Sequence, residues 1–148
     1  MFKHILVVCI GNICRSPMTE GLLTQALKVA ELSDIEVRSA GLNALIGQPA
    51  DRVVKRIMQA HGIDVSTHRA QQLNVDMLRW ADLVLVMEES QKRCVIRLDA
   101  STRGKVYRIG EWGEYDVPDP YRQTDNKFET AFELISRGVS DWLMKFRE

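Results

Sequence analysis

The stretch Ile5-Leu6-Val7-Val8-Cys9-Ile10-Gly11-Asn12-Ile13-Cys14-Arg15-Ser16-Pro17 decides the fold and most of the chemistry. An apolar run ends in a cysteine, five residues separate it from an arginine, and a serine and a proline follow. The run reads as a buried strand and the middle as a short loop. Ser16 and Pro17 read as a helix start, since serine is favoured at an N-cap and proline at the first helical position. Met18, Leu22, Leu23, Ala26, Leu27 and Ala30 then recur on one helical face. The free N–H groups and the positive end of that helix dipole point back at the loop. A thiol at Cys9, the backbone of Ile10, Gly11, Asn12, Ile13 and Cys14, and the guanidinium of Arg15 together make a cradle for a tetrahedral oxyanion, with a nucleophile at its floor. Such a field favours a thiolate at Cys9. Arginine grips two phosphate oxygens bidentately, which lysine does not do. Gly11 is expected to allow a sharp turn, and Asn12 to tolerate a left-handed conformation.

A second motif lies far downstream, at Val117-Pro118-Asp119-Pro120-Tyr121. If Cys9 attacks phosphorus, the departing oxygen needs a proton, and a positioned carboxylic acid supplies it. The same group then takes a proton from the water that hydrolyses the cysteinyl-phosphate. Prolines on both sides of Asp119 hold its loop extended and stiff. An isolated Asp-Pro pair would read as an ordinary turn, so the motif gains its meaning from the first one.

The Cys-x5-Arg-Ser signature near the N-terminus, followed by Asp-Pro-Tyr, resembles the low-molecular-weight protein tyrosine phosphatase family. The resemblance runs along the whole chain. It implies that Cys9 is the nucleophile, Arg15 the phosphate ligand, and Asp119 the general acid and then base. Ser16 would donate a hydrogen bond to the thiolate, and Tyr121 would flank the substrate ring. Ser39, in Ser39-Ala40-Gly41, and His68 would support Asn12 rather than react. Gln71 stands where the family usually has arginine, which removes an expected local ion pair. Family members often place an aromatic in the loop that here reads Leu42 to Asp51. Leu45 and Ile46 stand there instead, which looks like the bacterial subgroup paired with autophosphorylating tyrosine kinases of capsule and exopolysaccharide export. The implied partners are a phosphotyrosine protein of that kind and inorganic phosphate or a similar oxyanion, with no cofactor and no metal. The family's reversible disulfide would join Cys9 to Cys14; equally, Cys14 fills space beneath the loop.

Composition agrees with a compact enzyme. At 148 residues and 45% hydrophobic, residues 1–148 are expected to form a single domain with a real core. Twenty basic and twenty acidic side chains cancel, so no global field favours nucleic acid or an anionic membrane. The longest wholly apolar run, Ile5 to Ile10, is too short for a membrane helix or a good signal-peptide core, so a cytoplasmic protein without membrane insertion is expected. Three cysteines give neither a disulfide framework nor zinc spacing.

The elements alternate as in an α/β fold. Strands are expected at Ile5 to Cys9, Glu36 to Ser39, Leu83 to Met87 and Lys105 to Ile109. Helices follow from Pro17, around Val53, Val54, Ile57 and Met58, near Glu89 to Leu98, and finally through Phe128, Phe132, Ile135, Trp142 and Phe146. His61-Gly62 reads as a helix end with Gly62 in the left-handed cap. The family resemblance implies three layers: a four-stranded parallel sheet in the order 2-1-3-4 with helices on both faces. The site then falls at the carboxyl end of strand one.

Three other readings compete. An arsenate reductase on the same fold would need two further cysteines for its disulfide relay, and only Cys94 lies beyond the loop. A non-catalytic phosphotyrosine-binding module explains the anion cradle but leaves Asp119 without a task. A nucleotide P-loop would require Gly-Lys-Ser/Thr, which does not follow here.

Overall fold

A computed structural model describes residues 2–148. The apolar run at the start of the chain forms β1 (His4–Cys9), the second strand of a four-stranded sheet. It pairs in parallel with β2 (Glu36–Gly41) on one side and with β3 (Leu83–Val86) on the other, and β3 carries β4 (Val106–Arg108) at the far edge. The order is therefore β2-β1-β3-β4, as the resemblance implies.

Alternation along the strands divides the core in two. Ile5, Val7, Leu83 and Leu85 face a layer made by α1 (Arg15–Val29), α2 (Arg52–Ala60) and α5 (Asp125–Phe146). Leu6, Val8, Val84 and Val86 face α3 (Val75–Trp80) and α4 (Glu89–Leu98), through Leu78 and Val95. A sheet covered on both faces needs strands that are apolar at every position, which is why β1 and β3 read as unbroken hydrophobic runs.

Boundaries differ from the sequence reading at several points. β2 continues past Ser39 because Ala40 and Gly41 still pair with Val8 and Cys9. Helix α1 begins at Arg15, not Pro17. Its N-cap position is Cys14, which makes no side-chain capping bond. Ser16 is thus not the N-cap: its hydroxyl is already committed to Cys9 and Asn12, inside the first turn. Within α1, Met18, Leu23 and Leu27 are buried, whereas Leu22 and Ala26, and Ala30 just past its end, are only half-buried. Helix α3 went unpredicted because its six residues bury only Leu78 and so show no periodic stripe. Asn74 caps it, its Oδ1 accepting from Met77 N at 2.9 Å. Gly62 follows α2 with a φ of 75°, the left-handed geometry expected of it.

The aromatics of α5 are core. Trp142 is buried, donates from Nε1 to the Arg108 carbonyl at 3.1 Å, and meets Tyr107 and Trp112 edge-on. Trp112 therefore packs on α5, away from the site. Replacing Trp142 by alanine removes both the ring contacts and the bond to β4. The expected cost is about 3–5 kcal/mol in urea denaturation, with Trp142→Phe intermediate. A loss below about 1 kcal/mol for the alanine variant would show that α5 is not anchored there.

Candidate active site

The carboxyl end of β1 opens directly into the loop from Cys9 to Arg15. A cavity of about 170 Å³ sits on it, lined by Cys9, Ile10, Gly11, Ile13, Cys14 and Arg15 from the loop. Asn43, Leu45, Asp119 and Tyr121 complete the wall. The structure thus brings together the two motifs that lie 110 residues apart between Cys9 and Asp119. Cys9 is buried at the floor, and Leu45 is partly exposed at the rim.

The loop is held by Asn12, fully buried and left-handed at a φ of 61°. Its Oδ1 accepts from Gln71 N at 2.9 Å, and its Nδ2 donates to Ser16 Oγ at 2.7 Å and Ser39 Oγ at 3.0 Å. Its carbonyl accepts from His68 Nε2 at 2.6 Å, which assigns the proton to that ring nitrogen. Ser39 Oγ in turn donates to Glu20 Oε1 at 2.6 Å. Each bond fixes the direction of the next. Since Ser16 Oγ accepts from Asn12, its own proton is left for Cys9 Sγ, 2.9 Å away. Ser39 and His68 thus both bond to Asn12, one at its side chain and one at its carbonyl. Gln71, in place of the family's arginine, bonds through Nε2 to the Ser39 carbonyl at 2.9 Å.

Gly41 lies beneath the loop. A Cβ there would sit 2.5 Å from the Ile10 carbonyl oxygen, so only glycine lets β2 run so close under it. Gly11 departs from expectation: its φ is not left-handed, and an added Cβ would meet only Ile13 and Leu45 at 3.8 Å. The turn comes from Asn12 instead.

Arg15 is almost wholly buried, and the protein supplies its counter-charges. Nη1 donates to Glu88 and, at 2.8 Å, to the Val117 carbonyl. Nη2 lies 3.7 Å from Asp119 Oδ2. Nε is buried and has no hydrogen-bond partner among the described residues. Buried Gln91 locates Glu88, its Oε1 accepting from the N–H groups of Met87 and Glu88. Asp119 is half exposed, and its Oδ1 accepts from Tyr121 N at 3.0 Å, a local turn that aims the carboxylate along the cavity.

Sequence reasoning missed Glu88, Glu20 and the Val117 carbonyl. Glu88 had a signal: an arginine in a buried loop needs a carboxylate, and Glu88 lies just past the end of β3, next to β1. Glu20 had none, because one turn inside an amphipathic helix a glutamate looks like solvated surface.

Cys14 is buried against the same cavity. Burial above all, then the charges of Asp51, Cys9 and Asp119, push its thiol well up, with Arg15 opposing. Cys94 is exposed on α4 and takes no part in the cavity. Among the described residues no group of three His, Cys, Asp or Glu side chains is placed to hold a metal, and no helix is long and apolar enough to cross a membrane. Because the Cys14 thiol is raised in the folded state, an unfolded chain ionises first as pH rises. Its stabilising share is complete below about pH 8.5 and fades above it. A Cys14→Ala variant should therefore show a flatter loss of stability between neutral and alkaline pH than wild type; parallel curves would contradict this.

The chain matches the family model for low molecular weight phosphotyrosine protein phosphatase over residues 4–148. The probable low molecular weight protein-tyrosine-phosphatase EpsP of Ralstonia solanacearum is 49% identical over 147 residues, covering 99% of this chain and 98% of that one. The tyrosine phosphatase Wzb from Escherichia coli K30, solved in complex with sulphate, superposes with a TM-score of 0.92 at 35% identity, over 99% of each chain. Vibrio vulnificus Wzb in complex with benzylphosphonate gives 0.92 at 38% identity, over 98% of this chain and 99% of that one. Fold, both motifs and these matches over nearly the full length agree: the chain belongs to the low molecular weight protein-tyrosine-phosphatase family.

Proposed function

We propose that this phosphatase, acting as one domain over residues 1–148, hydrolyses phosphotyrosine through a cysteinyl-phosphate. The carrying observation is the unpartnered Nε of Arg15, buried beside the cavity that Cys9 floors. Glu88 and Val117 occupy Nη1, so Nε and Nη2 remain as the fork for two phosphoryl oxygens. Loop amides of residues 10 to 15 and the uncapped start of α1 take the rest of the charge.

The steps follow from this placement. Cys9 Sγ attacks phosphorus, the bond to the phenolic oxygen breaks, and Asp119 gives that oxygen its proton. Water then attacks the phosphorus of the cysteinyl-phosphate, Asp119 takes the water's proton, and the S–P bond breaks to release inorganic phosphate. The Ser16 hydroxyl, aimed at Sγ, stabilises the departing thiolate. Ile13, Leu45 and Tyr121 form apolar walls suited to an aromatic ring. With Cys9 at the buried floor, a serine-linked phosphate is too short to reach it. The benzylphosphonate held by Vibrio vulnificus Wzb is a group of the same shape as a phosphorylated ring.

The phosphotyrosine would belong to an autophosphorylating bacterial tyrosine kinase that governs capsule or exopolysaccharide, with the phosphatase cytoplasmic. Likeness to EpsP and the aliphatic Leu45 and Ile46 support this.

Matched phosphotyrosine and phosphoserine peptides, assayed in EDTA with wild type and Cys9→Ser, test the reaction. Release from phosphotyrosine alone, and by wild type alone, is expected. Retained peptide without turnover by wild type would instead mark a binding module, and dependence on metal would overturn the mechanism. Asp119→Ala should lose about 10²–10⁴-fold on a phenol of high pKa and far less on nitrophenyl phosphate, whose leaving group hardly needs a proton. Equal losses on the two substrates would remove Asp119 from the acid role.

A further inference from the structure

The catalytic cavity does not end at its own rim. A second, wider groove of about 750 Å³ shares three of its residues, Ile13, Leu45 and Tyr121, so the two are continuous. Leaving the cavity past Tyr121, the groove runs between the loop carrying Leu45 and Ile46 and the first turn of α2. Its two sides differ in chemistry. Leu45 and the largely exposed Ile46 make one side apolar. Arg52 and Lys55 make the other side basic.

Those two cations are free. Neither Arg52 nor Lys55 has a salt-bridge partner among the described residues, whereas the next basic residue on the helix, Arg56, is paired with Asp125 at 2.7 Å. The acid at the groove is Asp51, and one of its oxygens is engaged as the helix cap, accepting from Val53 N at 2.9 Å. A protein whose charges cancel overall thus sets two positive charges without salt-bridge partners among the described residues, against the one carboxylate of Asp51, beside the mouth of its site. An anionic group reaching that wall gains two partners at once, while the aliphatic side covers the stem that carries it.

We propose that this groove is a subsite for the peptide segment next to the phosphotyrosine. It selects a segment carrying a further anionic side chain, either a carboxylate or a second phosphotyrosine, which Arg52 and Lys55 hold. The inference rests on the phosphotyrosine reaction above and adds the sequence context in which that reaction is fastest. Arg52 and Lys55 take no part in bond breaking; they act on how the substrate is held.

The test compares kcat/KM on four substrates: nitrophenyl phosphate, a phosphotyrosine peptide with neutral neighbours, the same peptide with neighbouring glutamates, and one with a second phosphotyrosine. Wild type is set against the double variant Arg52→Gln, Lys55→Gln. A second double variant, Arg93→Gln, Arg97→Gln, removes two basic residues from α4, remote in sequence from the groove, and serves as control. Wild type and the α4 control should prefer the anionic peptides over the neutral one by about fivefold, mostly through KM, and the preference should shrink with added salt. The groove variant should cut the neutral peptide and nitrophenyl phosphate as wild type does, with the preference gone. Comparison of the glutamate and diphosphorylated peptides tells which anion the groove takes. Turnover of all peptides without a preference, or a preference that survives the groove variant, would overturn the proposal while leaving the phosphatase reading intact. No turnover of any phosphotyrosine peptide by wild type would remove the reaction on which it rests.

Discussion

Buried Asn12, its backbone in the left-handed region, holds the site together. The left-handed backbone of Asn12 costs on the order of 1–3 kcal/mol, and bonds to four partners offset it. Those partners come from α1, from the end of β2, and from the segment around His68 and Gln71. The loop's shape is therefore not stored in the loop. It is imposed by elements that meet only when the sheet has formed, and a half-satisfied version of the network would be worse than an apolar core. Ser39 and His68 do not line the cavity over Cys9, yet they bear on it, because each bonds to the left-handed Asn12 that shapes the loop.

A second constraint runs through Arg15. A buried guanidinium is tolerated only when paired and hydrogen-bonded. Glu88, just past β3, and the carbonyl of Val117, in the loop that leads to Asp119, satisfy one nitrogen, and Gln91 keeps Glu88 in place. The pairing is deliberately incomplete in a physical sense: Glu88 touches one corner of the fork, leaving its other donors for an anion. Full neutralisation would make a stable core and a poor phosphate site.

The sequence was legible wherever one residue type could meet a demand. An unbroken apolar run has one stable home, a sheet covered on both faces, and so β1 and β3 could be placed almost to the residue. Cysteine, arginine and aspartate at the two motifs stood out for the same reason, and the structure brings all three to one cavity. Ser16 shows the limit. Its type suits both a helix cap and a hydrogen bond to sulfur, and only the geometry, with Asn12 already donating to its oxygen, decides between them. Gly11 invited a turn that Asn12 makes instead. Glu20 stayed hidden because a glutamate along a helix is ordinary and its partner lies 19 residues away, whereas Glu88, 73 residues from Arg15, could be sought from the arginine's need for a carboxylate. Helix α3 is too short to show a period at all.

The wide separation of Cys9 from Asp119 and Val117 has a consequence for the protein's birth. A ribosome delivers β1, the loop and α1 before the rest of the site, with Cys9 already present. The Val117 carbonyl that steadies Arg15 lies 102 residues further along, Asp119, the proposed acid, follows it, and α5, which covers one face of the sheet, is made after both. The proposed site is thus complete only once both motifs have been made. A nascent segment that ends before Asp119 holds the cysteine and the arginine of the cavity without the carboxylate that completes its wall.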